Sequence, residues 1–162
     1  YEEEPQIEQM NGRVIKAMGL VRGVTHAEFI RSAKDGNIYF LEIAARVGGA
    51  SIDVMVEAAT GLNMWEEWAR LEVAYARGEE YHLPQQRHDN GALLVSLSRQ
   101  AAPDTSQFND PEVWWRMTKD HHVGLVLESP SFERLSYLID DYIPRMQRDF
   151  MAIEPPATSA LT

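Results

Sequence analysis

Gly23-Val-Thr-His-Ala-Glu-Phe-Ile-Arg-Ser-Ala-Lys-Asp-Gly-Asn-Ile-Tyr-Phe-Leu-Glu-Ile-Ala-Ala-Arg46 carries the clearest structural signal in this chain. Two runs rich in Ile, Val, Phe and Tyr flank Lys34-Asp35-Gly36. That pattern predicts a β-hairpin with glycine at the loop position that needs a positive φ. Closing the loop with Ala33 and Asn37 sets the register: Glu28 lies opposite Glu42, and His26 opposite Ala44. Period-two alternation then puts His26, Glu28 and Ile30 on one face, with Phe40, Glu42, Ala44 and Arg46 beside them on the partner strand. Like charges directly opposite each other destabilise a sheet. A chain that keeps such a pair has a use for a cation between the acids or a proton shared by them.

The rest of the chain bounds what that hairpin belongs to. Its 162 residues suit one ordinary domain or one lobe of a larger enzyme. Apolar residues make up 44%, and four Trp, six Tyr and five Phe support a packed core rather than disorder. A formal net charge of -10 argues against nucleic acid or an anionic membrane as a partner. The absence of cysteine removes disulfides, thiol catalysis and Cys-zinc sites together. No apolar run approaches the roughly 18 residues of a membrane span, and no signal peptide is visible. These features predict a soluble cytoplasmic protein. The chain opens Tyr1-Glu-Glu-Glu-Pro5 without Met and closes in a polar Pro155-Pro-Ala-Thr-Ser-Ala-Leu-Thr162, expected to be loose; it reads as a piece of a longer protein.

Helical spacing of Ile7, Met10, Val14 and Met18 predicts a helix over 6–18. After the hairpin, Arg46-Val-Gly-Gly-Ala-Ser51 is a glycine loop, and 52–60 reads as a helix stopped by Gly61. Asn63-Met-Trp-Glu66 resembles a capping box for a helix running to Gly78, with Trp65, Trp68, Leu71 or Glu72, and Tyr75 as its stripe. Residues 79–91 look like a linker. Beyond it, 92–97 and 123–127 read as strands. Asp110-Pro111 opens a short helix through Trp114 and Met117, and Ser129-Pro130 a longer one with Leu135, Leu138, Ile139 and Tyr142 at core spacing. Strand, helix, strand, helix predicts a small α+β lobe over 92–150, ahead of a tail at 151–162.

The hairpin residues suit one chemistry in particular. A hard cation such as Mg²⁺ takes one or two carboxylates plus phosphate oxygens. Arg46 adds a planar fork for phosphate or carboxylate, and Gly48 and Gly49 permit close approach of an anion. Plainer readings stand beside this one. The two acids also suit a solvated sheet face, Arg46 a strand-end ion pair, and Gly48-Gly49 a simple turn. His26 suits a ligand, a general base or a hydrogen-bonded core residue. The four Trp read as core or interface residues.

Gly23-x-x-His26-x-Glu28, the Asp35-Gly36 turn, Tyr39-Phe-Leu-Glu42-Ile-x-x-Arg46-x-Gly-Gly49 and the alanine-bearing helix ending Thr60-Gly61 together resemble the ATP-grasp superfamily over roughly residues 7–75. The resemblance implies an α+β fold: the C-terminal half of the catalytic subdomain over 1–78, followed by a terminal lobe. It implies that Glu28 and Glu42 hold Mg²⁺ or Mn²⁺ against ATP, and that Arg46 contacts the transferring phosphate. His26, Gly48 and Gly49 would lie near the acceptor substrate. The implied reaction joins a small carboxylate to an amine through an acyl phosphate. Many members carry Asn two residues after the second acid, where this chain has Ala44; His-x-Glu with Glu-x-Ala-x-Arg looks more like the subgroup that ligates amino acids. The nucleotide-gripping lysines precede this stretch in the family, so a missing N-terminal half would be a partner and the fragment alone inactive. A non-catalytic module that keeps the fold is the second reading, and a hydrolase using Glu28 and Glu42 the third. A homo-oligomer stays open.

Overall fold

The computed structural model describes residues 4–152. The fold is α+β, with helices and antiparallel sheets in the order α1 (Glu4–Ala17), β1 (His26–Arg31), β2 (Ile38–Ala44), α2 (Ile52–Thr60), α3 (Met64–Arg77), β3 (Asn90–Leu97), β4 (Val113–Arg116), β5 (His122–Ser129) and α4 (Phe132–Asp149). Two compact units form. The first takes the chain up to Asp53 together with Asn63–Gln85; the second takes Val54–Leu62 and the chain from Gln86 on. Neither unit is a continuous stretch of sequence.

In the first unit, β1 and β2 make the antiparallel hairpin. Ile7, Met10 and Val14 are half-buried along α1, whereas Met18 lies past the helix and is exposed. Helix α3 begins where Asn63 accepts bonds from the amides of Trp65 and Glu66, and it ends at Gly78, whose φ of 70° caps it in the left-handed region. Its aromatic stripe is not core. Trp65 is 54% and Tyr75 64% exposed, and the buried residue of α3 is Glu67. Glu67 tolerates burial because Arg70 at 2.7 Å and the Tyr81 hydroxyl at 2.7 Å occupy its oxygens. Burial and that bond to Glu67 push the Tyr81 hydroxyl up to about 12.

The second unit carries a three-stranded sheet in the order β3-β5-β4. Helix α4 covers one side of it, placing Leu135, Leu138, Tyr142 and Met146 against Phe108, Leu125 and Leu127. Helix α2 reaches the sheet at Gly91: a Cβ there would meet Met55 Cγ at 3.0 Å and Ala59 Cβ at 3.2 Å. The backbone amides of Arg87 and Asp89 donate to Thr60 and Ala59 carbonyls, closing the end of α2. Met151 bridges to Ser98, and the Ala152 amide donates to Leu97. The first three residues and 153–162, including the Pro155-Pro156 segment expected to be loose, lie outside the described residues.

One element differs in kind from its prediction. The segment after Asp110-Pro111 is strand β4, not a helix, so the order in this unit is three strands and then a helix. The reason is local and tertiary together. Val113-Trp-Trp-Arg116 is β-branched and aromatic, and it pairs with the buried strand β5. The Asp110 carboxylate caps nothing; it accepts from Arg134 at 2.7 Å and from the Tyr142 hydroxyl at 2.7 Å. Helix α4 likewise starts at Ser131 rather than Ser129.

Arg134 also grips Glu112 with two donors, at 2.8 and 3.1 Å. The Tyr142 hydroxyl, then Arg134, holds the Asp110 carboxyl below its ordinary range, and Arg134 does the same for Glu112. Carboxyls depressed in the folded state add stability that is complete above their unfolded values and lost as pH falls through the folded ones. Acid should therefore destabilise the protein below about pH 4.5. Arg134→Met should flatten that loss, because the native and unfolded carboxyls then titrate closer together. Chemical denaturation across pH reads this, and parallel curves for both proteins would separate Arg134 from the acid response.

Candidate active site

The hairpin pairs Glu28 with Glu42 and His26 with Ala44. The route to that register differs from the expected one. Ser32, not Ala33, pairs with Asn37: the Ser32 amide donates to Asn37 O at 2.9 Å, and the Gly36 amide to Ser32 O at 2.9 Å. Gly36 has the positive φ, 72°. The loop is thus one residue longer than Lys34-Asp35-Gly36, and Phe29 pairs with Phe40. Between Glu28 and Phe29 the register slips by one, leaving Leu41 as the extra residue of a β-bulge. Bulge and longer loop cancel at the acids. They do not cancel for Phe40. Its ring meets that of Phe29 edge-on, with centroids 5.9 Å apart, so it leaves the Glu28 face that unbroken alternation predicted.

The two acids face solvent unequally partnered. The Glu28 carboxylate is 46% exposed and lies 3.6 Å from His26 Nε2. Among the described residues Glu42 has no hydrogen-bond or ion-pair partner. Arg46 follows a tight turn, its amide donating to Ala44 O at 2.9 Å. Its guanidinium donates to the Val47 carbonyl at 3.0 Å and, among the described residues, pairs with no carboxylate.

Val47, buried to 2% exposure, anchors the glycine loop. Neither Gly48 nor Gly49 has a positive φ; the left-handed positions are Ala50 (φ 54°) and Ser51 (φ 67°). The Ile52 amide closes this turn on Gly49 O at 3.0 Å. Non-glycine residues held there cost about 1–3 kcal/mol each. Gly48 is glycine for room instead: an added Cβ would lie 2.8 Å from His26 Nδ1 and 3.1 Å from Ile52 Cγ2. At Gly49 the nearest atom is Arg46 Nη1 at 3.6 Å, an ordinary contact. Nothing in the sequence marked Ala50 and Ser51, because neither residue type advertises a left-handed turn. Nor did it mark the bond from the Trp65 indole to Asp53, 3.0 Å, at the start of α2.

No group of three or more His, Cys, Asp or Glu side chains among the described residues forms a metal cage. Two opposed, exposed carboxylates suit a hard cation that draws its remaining oxygens from water and phosphate. The apolar groove lined by Ile7, Phe29, Ile30 and Ile38 includes none of the candidate residues. No helix among the described residues is long and apolar enough to cross a membrane.

Solved structures share this architecture. An L-amino acid ligase from Bacillus licheniformis superposes with a TM-score of 0.66 at 15% identity, over 95% of this chain and 41% of its own. A phosphoribosylglycinamide synthetase from Anaerococcus prevotii superposes with a TM-score of 0.53 at 13% identity, over 87% of this chain and 39% of its own. The fold of this chain is ATP-grasp-like. The chain spans about two fifths of the length of each. No family model matches the sequence, and no curated protein matches it.

Proposed function

We propose that this chain is the C-terminal part of an ATP-dependent carboxylate–amine ligase that joins small acids, amino acids among them, to amines through an acyl phosphate. One observation carries this reading. Glu42, which among the described residues has no hydrogen-bond or ion-pair partner, stands directly opposite Glu28, and four residues on Arg46 pairs with no described carboxylate. Glu28 and Glu42 are the residues that would hold Mg²⁺ or Mn²⁺, and the ion when bound would neutralise phosphate charge on ATP. Arg46 offers donors to the phosphate as it passes to the substrate carboxylate. The loop at Gly48 and Gly49 borders the acceptor. The amine then displaces phosphate, leaving ADP, phosphate and a new C–N bond.

The nucleotide-gripping groups are assigned to an N-terminal half of the same protein, and the cytoplasm is the expected location. Ala44, whose side chain offers no oxygen where many members of the ATP-grasp superfamily carry Asn, favours a second reading: a binding module without turnover. Phosphate release by the intact protein, screened over pairs of amino acids and small carboxylates with ATP and Mg²⁺, separates the two. The ligase reading expects amine-dependent release with at least one pair. Binding of ATP without release from any pair would establish the module. ADP formation by the 162-residue chain alone would overturn the division of the site between two halves.

A further inference from the structure

We infer that His26 is a positioning residue: its imidazole is a strut between the Glu28 carboxylate and the backbone of the glycine loop at Gly48. The inference rests on the ligase reading for its consequence, but the contact stands on geometry alone. Nε2 of the ring lies 3.6 Å from Glu28 Oε1. The opposite edge, Nδ1, lies where it would be 2.8 Å from a Cβ on Gly48. The side chain is only 19% exposed. Across the hairpin its partner is Ala44, whose methyl leaves the ring its room.

Three residue choices thus have one cause. An imidazole is rigid and planar, so its two edges hold a fixed separation. Ala44 is small beneath it, and Gly48 has no side chain because the ring and Ile52 already fill that volume. Val47, buried beside Gly48, keeps the loop from sliding away. A shift of the Glu28 carboxylate is then felt at Gly48. In the proposed reaction Gly48 borders the acceptor, so His26 acts on the carboxylate substrate through the loop and does not touch it. This narrows the sequence-based expectation that His26 lies near the acceptor substrate.

The contact is tested with four forms of the chain: wild type, His26→Ala, Gly48→Ala and the double variant. Gly48→Ala should lower the melting temperature of the wild type by several degrees and cost less than half as much once the ring is gone. The residual crowding by Ile52 is common to both backgrounds and cancels. Equal costs would remove the strut. Gly49→Ala, with ordinary clearance, should show no such coupling to His26.

The role is tested in the intact ligase. His26→Ala should raise KM for the carboxylate substrate about tenfold or more, with a smaller change in kcat, as expected for a misplaced loop. His26→Asn, which keeps a nitrogen near the Nδ1 position but has no atom where Nε2 meets Glu28, should restore little of the loss, and full rescue by it would overturn the strut. Coupled melting temperatures with an unchanged KM would make the ring merely structural and overturn the positioning role while leaving the ligase reading intact. A wild type that turns over no substrate would remove the ligase reading and the positioning role with it, and the melting-temperature cycle would still report the contact separately.

Discussion

On the ligase reading proposed above, Glu42→Gln should cut metal-dependent turnover of the intact protein by about 10²–10³-fold, the scale on which an enzyme loses a preorganised electrostatic group. The same change should leave the fold in place and make the metal-free protein slightly more stable. The two effects have opposite signs for one reason. Glu42 is exposed and makes no hydrogen bond or ion pair among the described residues, so glutamine in its place orphans nothing. It stands opposite Glu28, and removing one of two facing negative charges relieves about 0.2–1 kcal/mol of repulsion. An acid kept for structure behaves the other way, losing stability when neutralised. Steady-state rates with Mg²⁺ varied, together with melting temperatures in chelator, read both signs. Unchanged turnover would take Glu42 out of the mechanism.

The acid pair was legible because strand pairing and turn chemistry are local. Asp35-Gly36 and two β-rich runs were enough to place the hairpin, and the Glu28–Glu42 pairing read from them holds because two irregularities offset each other. What stayed hidden was the pair of compensating irregularities, a longer loop and a bulge at Leu41, since a one-residue slip leaves no mark in composition. Phe40 changed face as a result. Strand β4 was missed because Asp110-Pro111 is a sound helix start by propensity. Only Tyr142 and Arg134, 32 and 24 residues on, show what the Asp110 carboxylate is for. The Trp stripe of α3 had helical spacing but satisfies its indoles on Asp53 and Glu72. Spacing reveals an amphipathic face, not what covers it. In the glycine loop the informative fact was spatial. Gly48 makes room for His26, a residue more than twenty positions away in sequence and on the other strand side of the hairpin.

Phe108 bears on stability as Glu42 bears on chemistry. It lies in an irregular stretch between β3 and β4, where no periodicity singles it out, yet it is fully buried. Its ring meets Tyr142 edge-on at 4.7 Å and Phe150 at 6.2 Å, and the Arg145 guanidinium sits 4.6 Å from its centroid. Its carbonyl accepts a short bond from Arg116, which also donates to Thr105 O at 2.6 Å. The backbone is therefore pinned and cannot move in to fill a gap. Phe108→Ala should accordingly cost about 3–5 kcal/mol, the upper range for losing a core aromatic. Set against a typical total of about 5–15 kcal/mol, that is enough to leave the second unit marginal. The cavity would also loosen Tyr142, whose hydroxyl is the leading cause of the lowered Asp110 carboxyl. The variant should then lose part of its acid sensitivity as well, since Asp110 titrates nearer its unfolded value. Urea denaturation at neutral and acid pH tests both parts. A loss below about 1 kcal/mol would mean that the site collapses around the missing ring, contrary to the pinning by Arg116.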